Sequence, residues 1–143
     1  VGARFDARAA SRTQRAVSWP SPPRTPMPYY SGNLDGPLPI TIDLTPESNS
    51  MAFLTVSGSV WSAATSVQIG IEVTWEGTVL GAATIFSNGP STHRAVVPKT
   101  FALALDKPWD PNGDPPTYTL TLSPMNAYTI SDRNDSYHIV LAS

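Results

Sequence analysis

His93 and His138 are the only imidazoles in the chain, and there is no cysteine. Proton transfer near neutral pH therefore falls to two residues, neither of which has a Ser or carboxylate at a recognised motif distance. A thiol nucleophile, a disulfide and a thiolate zinc site are excluded. His93 sits where a turn enters a strand and His138 lies inside a strand, positions where a histidine is more often packed or hydrogen-bonded than catalytic. Asp110, Asn112 and Asp114 place oxygen ligands at alternate positions, as calcium loops do. However, Gly113 is out of place for such a loop, and Thr121 stands where its bidentate Glu belongs. Asn112-Gly113 among prolines reads as a loop tip, and no metal or other cofactor is expected. Trp109 beside it offers a flat ring that can stack on a sugar, on a neighbouring chain or on its own loop. Trp109, Asp110, Asn112 and Asp114 are thus a candidate ligand loop. With no nucleophile-base pair in view, the chain reads as a non-enzyme.

The elements that must hold these residues are strands. Fifteen prolines and a charged fraction of only 14% in 143 residues argue against helices, and the length suits one core. From Ser66 to Glu76 the odd positions are Val67, Ile69, Ile71, Val73 and Trp75, while the even ones are polar or Gly. That period of two is a half-buried strand. Glu76-Gly77 turns it into a second strand over 78–87. Leu38, Ile40, Ile42 and Leu44 alternate in the same way, and further strands are expected at 51–60, 93–98, 100–105, 117–123 and 136–142. Eight short strands with turn signals between them predict an all-β antiparallel sandwich, an eight-stranded jelly roll, over residues 37–143. Residues 51–56 and 136–142 break the alternation by being apolar on both faces. A sandwich strand is normally wet outside, so a second apolar face implies a cover, either a part of the same chain or another subunit. Met51, Phe53, His138 and Val140 are the candidate oligomer-interface residues. No apolar run approaches the roughly 18 residues of a membrane helix, and no membrane partner is expected.

Charge divides the chain in two. The first 30 residues hold five Arg against Asp6 alone, a net +4, and the remainder holds four bases against ten acids, a net −6. Arg4, Arg8, Arg12 and Arg15 recur at spacings that share one helical face. The stretch from Trp19 to Pro46 carries eight prolines, which suits an extended, polyproline-like course over a surface. Residues 1–36 are therefore expected to be a basic, Pro-rich arm made to lie on another acidic surface, a neighbouring copy included. Its anchors are Arg4, Arg8, Arg12, Arg15, Trp19, Arg24, Tyr29 and Tyr30. No apolar stretch after the arginines fits a secretory signal, and an organelle transit segment is disfavoured. Nucleic acid is not expected as a partner, since the arginines lack interleaved stacking aromatics.

The run Ile69 to Gly81, followed by Phe86-Ser87-Asn88, His93 to Pro98, Tyr118-Thr119-Leu120 and Ser131 to Tyr137, resembles small jelly-roll domains of tailed bacterial viruses, which are similar in pattern to C1q and TNF-like domains. The resemblance spans residues 50–143. It departs at Asp106 to Pro116, where a short Gly turn would be expected, and it leaves the arm out. It implies a homotrimeric jelly roll on the virion exterior, a capsid decoration protein bound to the major capsid protein or other virion subunits, with the arm as staple. The alternative it implies is a carbohydrate- or receptor-binding head of a tail fibre.

Overall fold

The computed structural model describes residues 29–47 and 50–142. Nine strands follow one another: β1 (Tyr29–Asp35), β2 (Ile40–Leu44), β3 (Met51–Val60), β4 (Val67–Trp75), β5 (Thr78–Ser87), β6 (Arg94–Ala95), β7 (Lys99–Ala104), β8 (Tyr118–Pro124) and β9 (Ser136–Ala142). All pairings are antiparallel, and no helix occurs among the described residues. Sheet one runs β1-β9-β3-β7, with two-residue β6 on the far end of β3, and sheet two runs β2-β8-β4-β5. Consecutive long strands thus alternate between sheets except at the β4–β5 hairpin, and that strand order is a jelly roll.

The expected alternation places the core. Ile69, Ile71, Val73 and Trp75 of β4 face inward with Leu120 and Leu122 of β8, against Leu54 and Val56 of β3 and Ile139 and Leu141 of β9. Each such side chain contributes about 1.5–3 kcal/mol by leaving water. Glu76 and Gly77 close the β4–β5 hairpin with φ of 52° and 81°, the two left-handed residues of a turn whose twist matches its strands. Gly58 on β3 is required for another reason: a Cβ there would lie 2.7 Å from the Tyr137 ring and 2.8 Å from the Ser136 carbonyl on β9.

Two expectations are corrected. The arm does not extend to Gly36, because Tyr29–Asp35 forms β1 and pairs with β9 over seven residues, from Tyr29 opposite Ala142 to Asp35 opposite Ser136. Gly32 and Asn33 suggest a turn, but no proline interrupts 29–36, so the backbone donors are free to complete a ladder. Tyr30 accordingly lies within the sandwich, and of Tyr29 only the backbone pairing is described. The strand expected at 93–98 is reduced to the short β6, since the chain crosses there between layers. The Val96 amide donates to Gly58 O of sheet one at 2.8 Å, and the Val97 amide to Thr84 O of sheet two at 2.9 Å. The expected helical face of Arg4, Arg8, Arg12 and Arg15, together with Trp19 and Arg24, lies outside the described residues.

Candidate functional site

Register decides which of the expected interface residues meet. Phe53 is opposite Ala102 on β7 and Ala142 on β9, Thr55 is opposite Thr100 and Val140, and Ser57 is opposite His138. On the far side of β9, Val140 pairs with Ser31 and His138 with Asn33 of β1. Because side chains alternate across a strand, Met51, Phe53, Val140 and His138 share the outer face of sheet one. Rows of Ala104 and Met51, then Ala102, Phe53 and Ala142, then Thr100, Thr55, Val140 and Ser31, grade into Ser57, His138 and Asn33. None of these residues is charged. Asp35, opposite Ser136, stands only at the rim, and Lys99, opposite the buried Val56, lies on the other side of β7. Met51 is 52% and Phe53 51% exposed, and no described residue covers them. The outer face of sheet two, by contrast, carries Asp43 and Glu72 among threonines, with Thr41 hydrogen-bonded to Thr121 at 3.1 Å.

At the Ser57 end this face becomes polar. His138 hydrogen-bonds Asn33 Oδ1 through Nδ1 at 2.8 Å, with its Nε2 3.4 Å from Ser31 Oγ. The imidazole is therefore a cross-strand tie between β9 and β1, as a packed histidine should be.

His93 has a setting that sequence spacing did not disclose. Its Nδ1 donates to Asp135 Oδ1 at 2.7 Å, and its Nε2 lies 3.7 Å from Asp132 Oδ2. Asp135 is fully buried, and the same Oδ1 accepts the Ser59 hydroxyl at 2.7 Å while Oδ2 accepts the Asp132 amide at 2.8 Å. The carboxylate thus occupies the centre of the Ser–Asp–His array. A nucleophilic triad needs the imidazole there, and in this arrangement His93 hydrogen-bonds Asp135 rather than Ser59. These groups pin the turn before β9 to the end of β3 and the β5–β6 loop. His93, Asp132 and Asp135 also bring three ligand-type atoms within 4.8 Å of one another, but the Asp135 oxygens are already engaged by protein donors.

The Asp135 hydrogen bond holds the His93 pKa above its ordinary 6.5, against the opposing effect of burial and with help from the charges of Asp135 and Asp132. A folded-state value raised above the unfolded one means that the stabilisation is complete below about pH 6.5 and fades as pH rises through the folded value. Thermal melts across that range should show wild-type stability declining relative to His93→Gln as pH rises. Parallel pH profiles for the two proteins would contradict a charged His93–Asp135 contact. Nearby, burial pushes the Tyr137 phenol up to about 12, and its hydroxyl donates to Gly36 O at 2.8 Å.

The candidate ligand loop is organised by its own backbone. Asp110 Oδ1 accepts the Asn112 amide at 2.8 Å and the Asp114 amide at 3.1 Å, and the Gly113 amide closes the turn on Asp110 O. Asp110, Asn112 and Asp114 are exposed around a loop tip, and Trp109 is 36% exposed beside them. At the base of this loop, Lys107 Nζ lies 2.7 Å from Glu76 Oε1, while Glu76 Oε2 accepts the Thr119 amide. Lys107 chiefly, and Thr119 next, hold the Glu76 carboxyl below its usual range.

No family model matches the chain, and no curated protein matches it. Among solved structures, the subviral particle of infectious bursal disease virus VP2 is similar, with 9% identity and a TM-score of 0.46 over 82% of this chain. The chain covers 33% of the length of that VP2 chain.

Proposed function

We propose that the protein is a structural virion subunit, a jelly roll that self-associates as a homotrimer on the particle exterior, with its basic N-terminal segment stapling it to the shell or to adjoining subunits. The observation that carries this reading is the uncharged outer face of sheet one, where Met51 and Phe53 stand half exposed in the middle of a four-stranded surface. A jelly roll hosts many functions, so that surface and the pattern resemblance to phage virion domains, rather than the fold, support this role. Apolar faces of this kind mark contact with another protein surface. Light scattering of the full chain should give three times the 15.3 kDa chain mass, and antibody labelling should decorate the outside of intact particles. A monomer at high concentration would overturn the trimer.

The exposed Trp109 favours a second reading, the saccharide- or receptor-binding head of a tail fibre, because an exposed ring flanked by polar groups is a stacking platform for sugars. Labelling confined to the fibre tip, with glycan binding lost in Trp109→Ala, would select it over decoration.

A further inference from the structure

Among the described residues, strands β5 and β7 lie at edges on the same side of the sandwich, each paired to a single neighbour. Between them, beside the β4–β5 turn, opens a groove of about 320 Å³ lined by Trp75, Leu80 and Leu103 within and by Glu76, Asp106 and Lys107 at the rim. Trp75 stacks on Tyr118 with ring centroids 5.3 Å apart and planes at 14°, giving the groove an aromatic floor. Trp75 is only 6% exposed, and its indole Nε1, like Trp61 Nε1 and Arg94 Nε, is buried without a hydrogen-bond partner among the described residues.

Charge converges on this end of the molecule. Asp43, which accepts the Thr119 hydroxyl, joins Glu47, Glu76, Asp106, Asp110 and Asp114 around the start of β8 and the loops beside it. They are six of the ten acids that follow residue 30, and among the described residues Lys107 is the one base beside them. Among the described residues only Glu76 of the six is ion-paired. The net +4 N-terminal segment joins the domain at this same end, because Tyr29 pairs with Ala142, which pairs in turn with Phe53.

We propose that this groove receives the Trp19–Arg24 stretch of a neighbouring copy's N-terminal segment. The inference rests on the assembly reading above and names the contact by which the staple holds. Trp19-Pro20-Ser21-Pro22-Pro23-Arg24 has chemistry that suits the groove: rings that pack on an aromatic floor, a backbone with few N–H donors to desolvate, and a guanidinium for the Asp106 side. Aromatic-lined grooves recognise Pro-rich segments because the polyproline conformation loses little entropy on docking. Reach takes in a neighbour's groove as well as the chain's own, and the assembly reading selects the neighbour. In a polyproline course, at about 3.1 Å per residue, the ten steps from Tyr29 back to Trp19 would cover about 31 Å. The path from β1 across sheet one to β7 is three strand spacings, about 14 Å.

The cysteine-free chain permits a direct test by oxidative cross-linking of full-length variants. Ser18→Cys mixed with Ala104→Cys, whose site is exposed on the groove, should give an interchain disulfide. Ser18→Cys mixed with Asn134→Cys, at the opposite end, should not. Asp106→Lys, or a rise in salt from about 0.05 M to about 0.5 M, should lower the yield severalfold, since exposed ion pairs are screened. No cross-link above the Asn134→Cys control would overturn the proposal. So would a bond formed only within one chain in a Ser18→Cys/Ala104→Cys double variant. Light scattering separates the two levels: a trimeric wild type without the cross-link overturns this contact alone, whereas a monomeric wild type overturns the assembly reading.

Discussion

Phe53→Asp should reduce the assembled protein to a folded monomer. In the isolated domain residue 53 is 51% exposed, so a carboxylate there meets water and leaves the core intact. Within a subunit interface the same carboxylate would be buried without a partner, at a cost of about 3 kcal/mol or more. That cost corresponds to about two orders of magnitude in each interface's association constant. Val140→Asp, one cross-strand row along the same face, on β9, should act the same way. Phe86→Asp supplies the control, since Phe86 is 52% exposed but lies on the outer face of sheet two. Light scattering should report monomers for the first two and wild-type mass for the third, with β-type circular dichroism retained in all. A Phe53→Asp protein of unchanged mass would show that this face is not the contact.

The second large effect separates two truncations that differ by eight residues. Removing residues 1–28 should leave the domain folded, because β1 and its ladder to β9 remain. Removing residues 1–36 takes away the ladder from Tyr29–Ala142 to Asp35–Ser136 and bares the edge of β9. It also removes Gly36, whose amide donates to Asp135 O at 3.0 Å and whose carbonyl accepts the buried Tyr137 hydroxyl. Each lost hydrogen bond costs about 1 kcal/mol, and an unpaired buried hydroxyl costs about 1–3 kcal/mol. The total is on the order of 5 kcal/mol, a third or more of the stability of an ordinary domain. Urea titration of both truncations measures the difference. Equal midpoints would mean that β1 is dispensable.

Local pattern was sufficient wherever a feature depends on residues close in sequence. The alternation from Val67 to Trp75 announced β4 and its buried face, Glu76-Gly77 announced the hairpin, and the apolar second faces of residues 51–56 and 136–142 announced a surface in need of a cover. The opposition of a basic start to an acidic remainder was likewise present in composition alone. Period two specifies which side chains share a face of one strand, but it says nothing about which strand lies alongside. Backbone donors and acceptors are chemically alike at every residue, so pairing is chosen by long-range fit of whole faces. Only the tertiary structure therefore joined β1 to a strand about a hundred residues away, and only that register set Val140 beside Thr55 on a continuous uncharged surface. His93 and Asp135, 42 residues apart, meet for the same reason: the turn before β9 and the loop after β5 converge at one end of the sandwich. The groove under Trp75 exists because two edge strands from different sheets end side by side, a juxtaposition that belongs to the packing of layers and has no counterpart in any local run of residues.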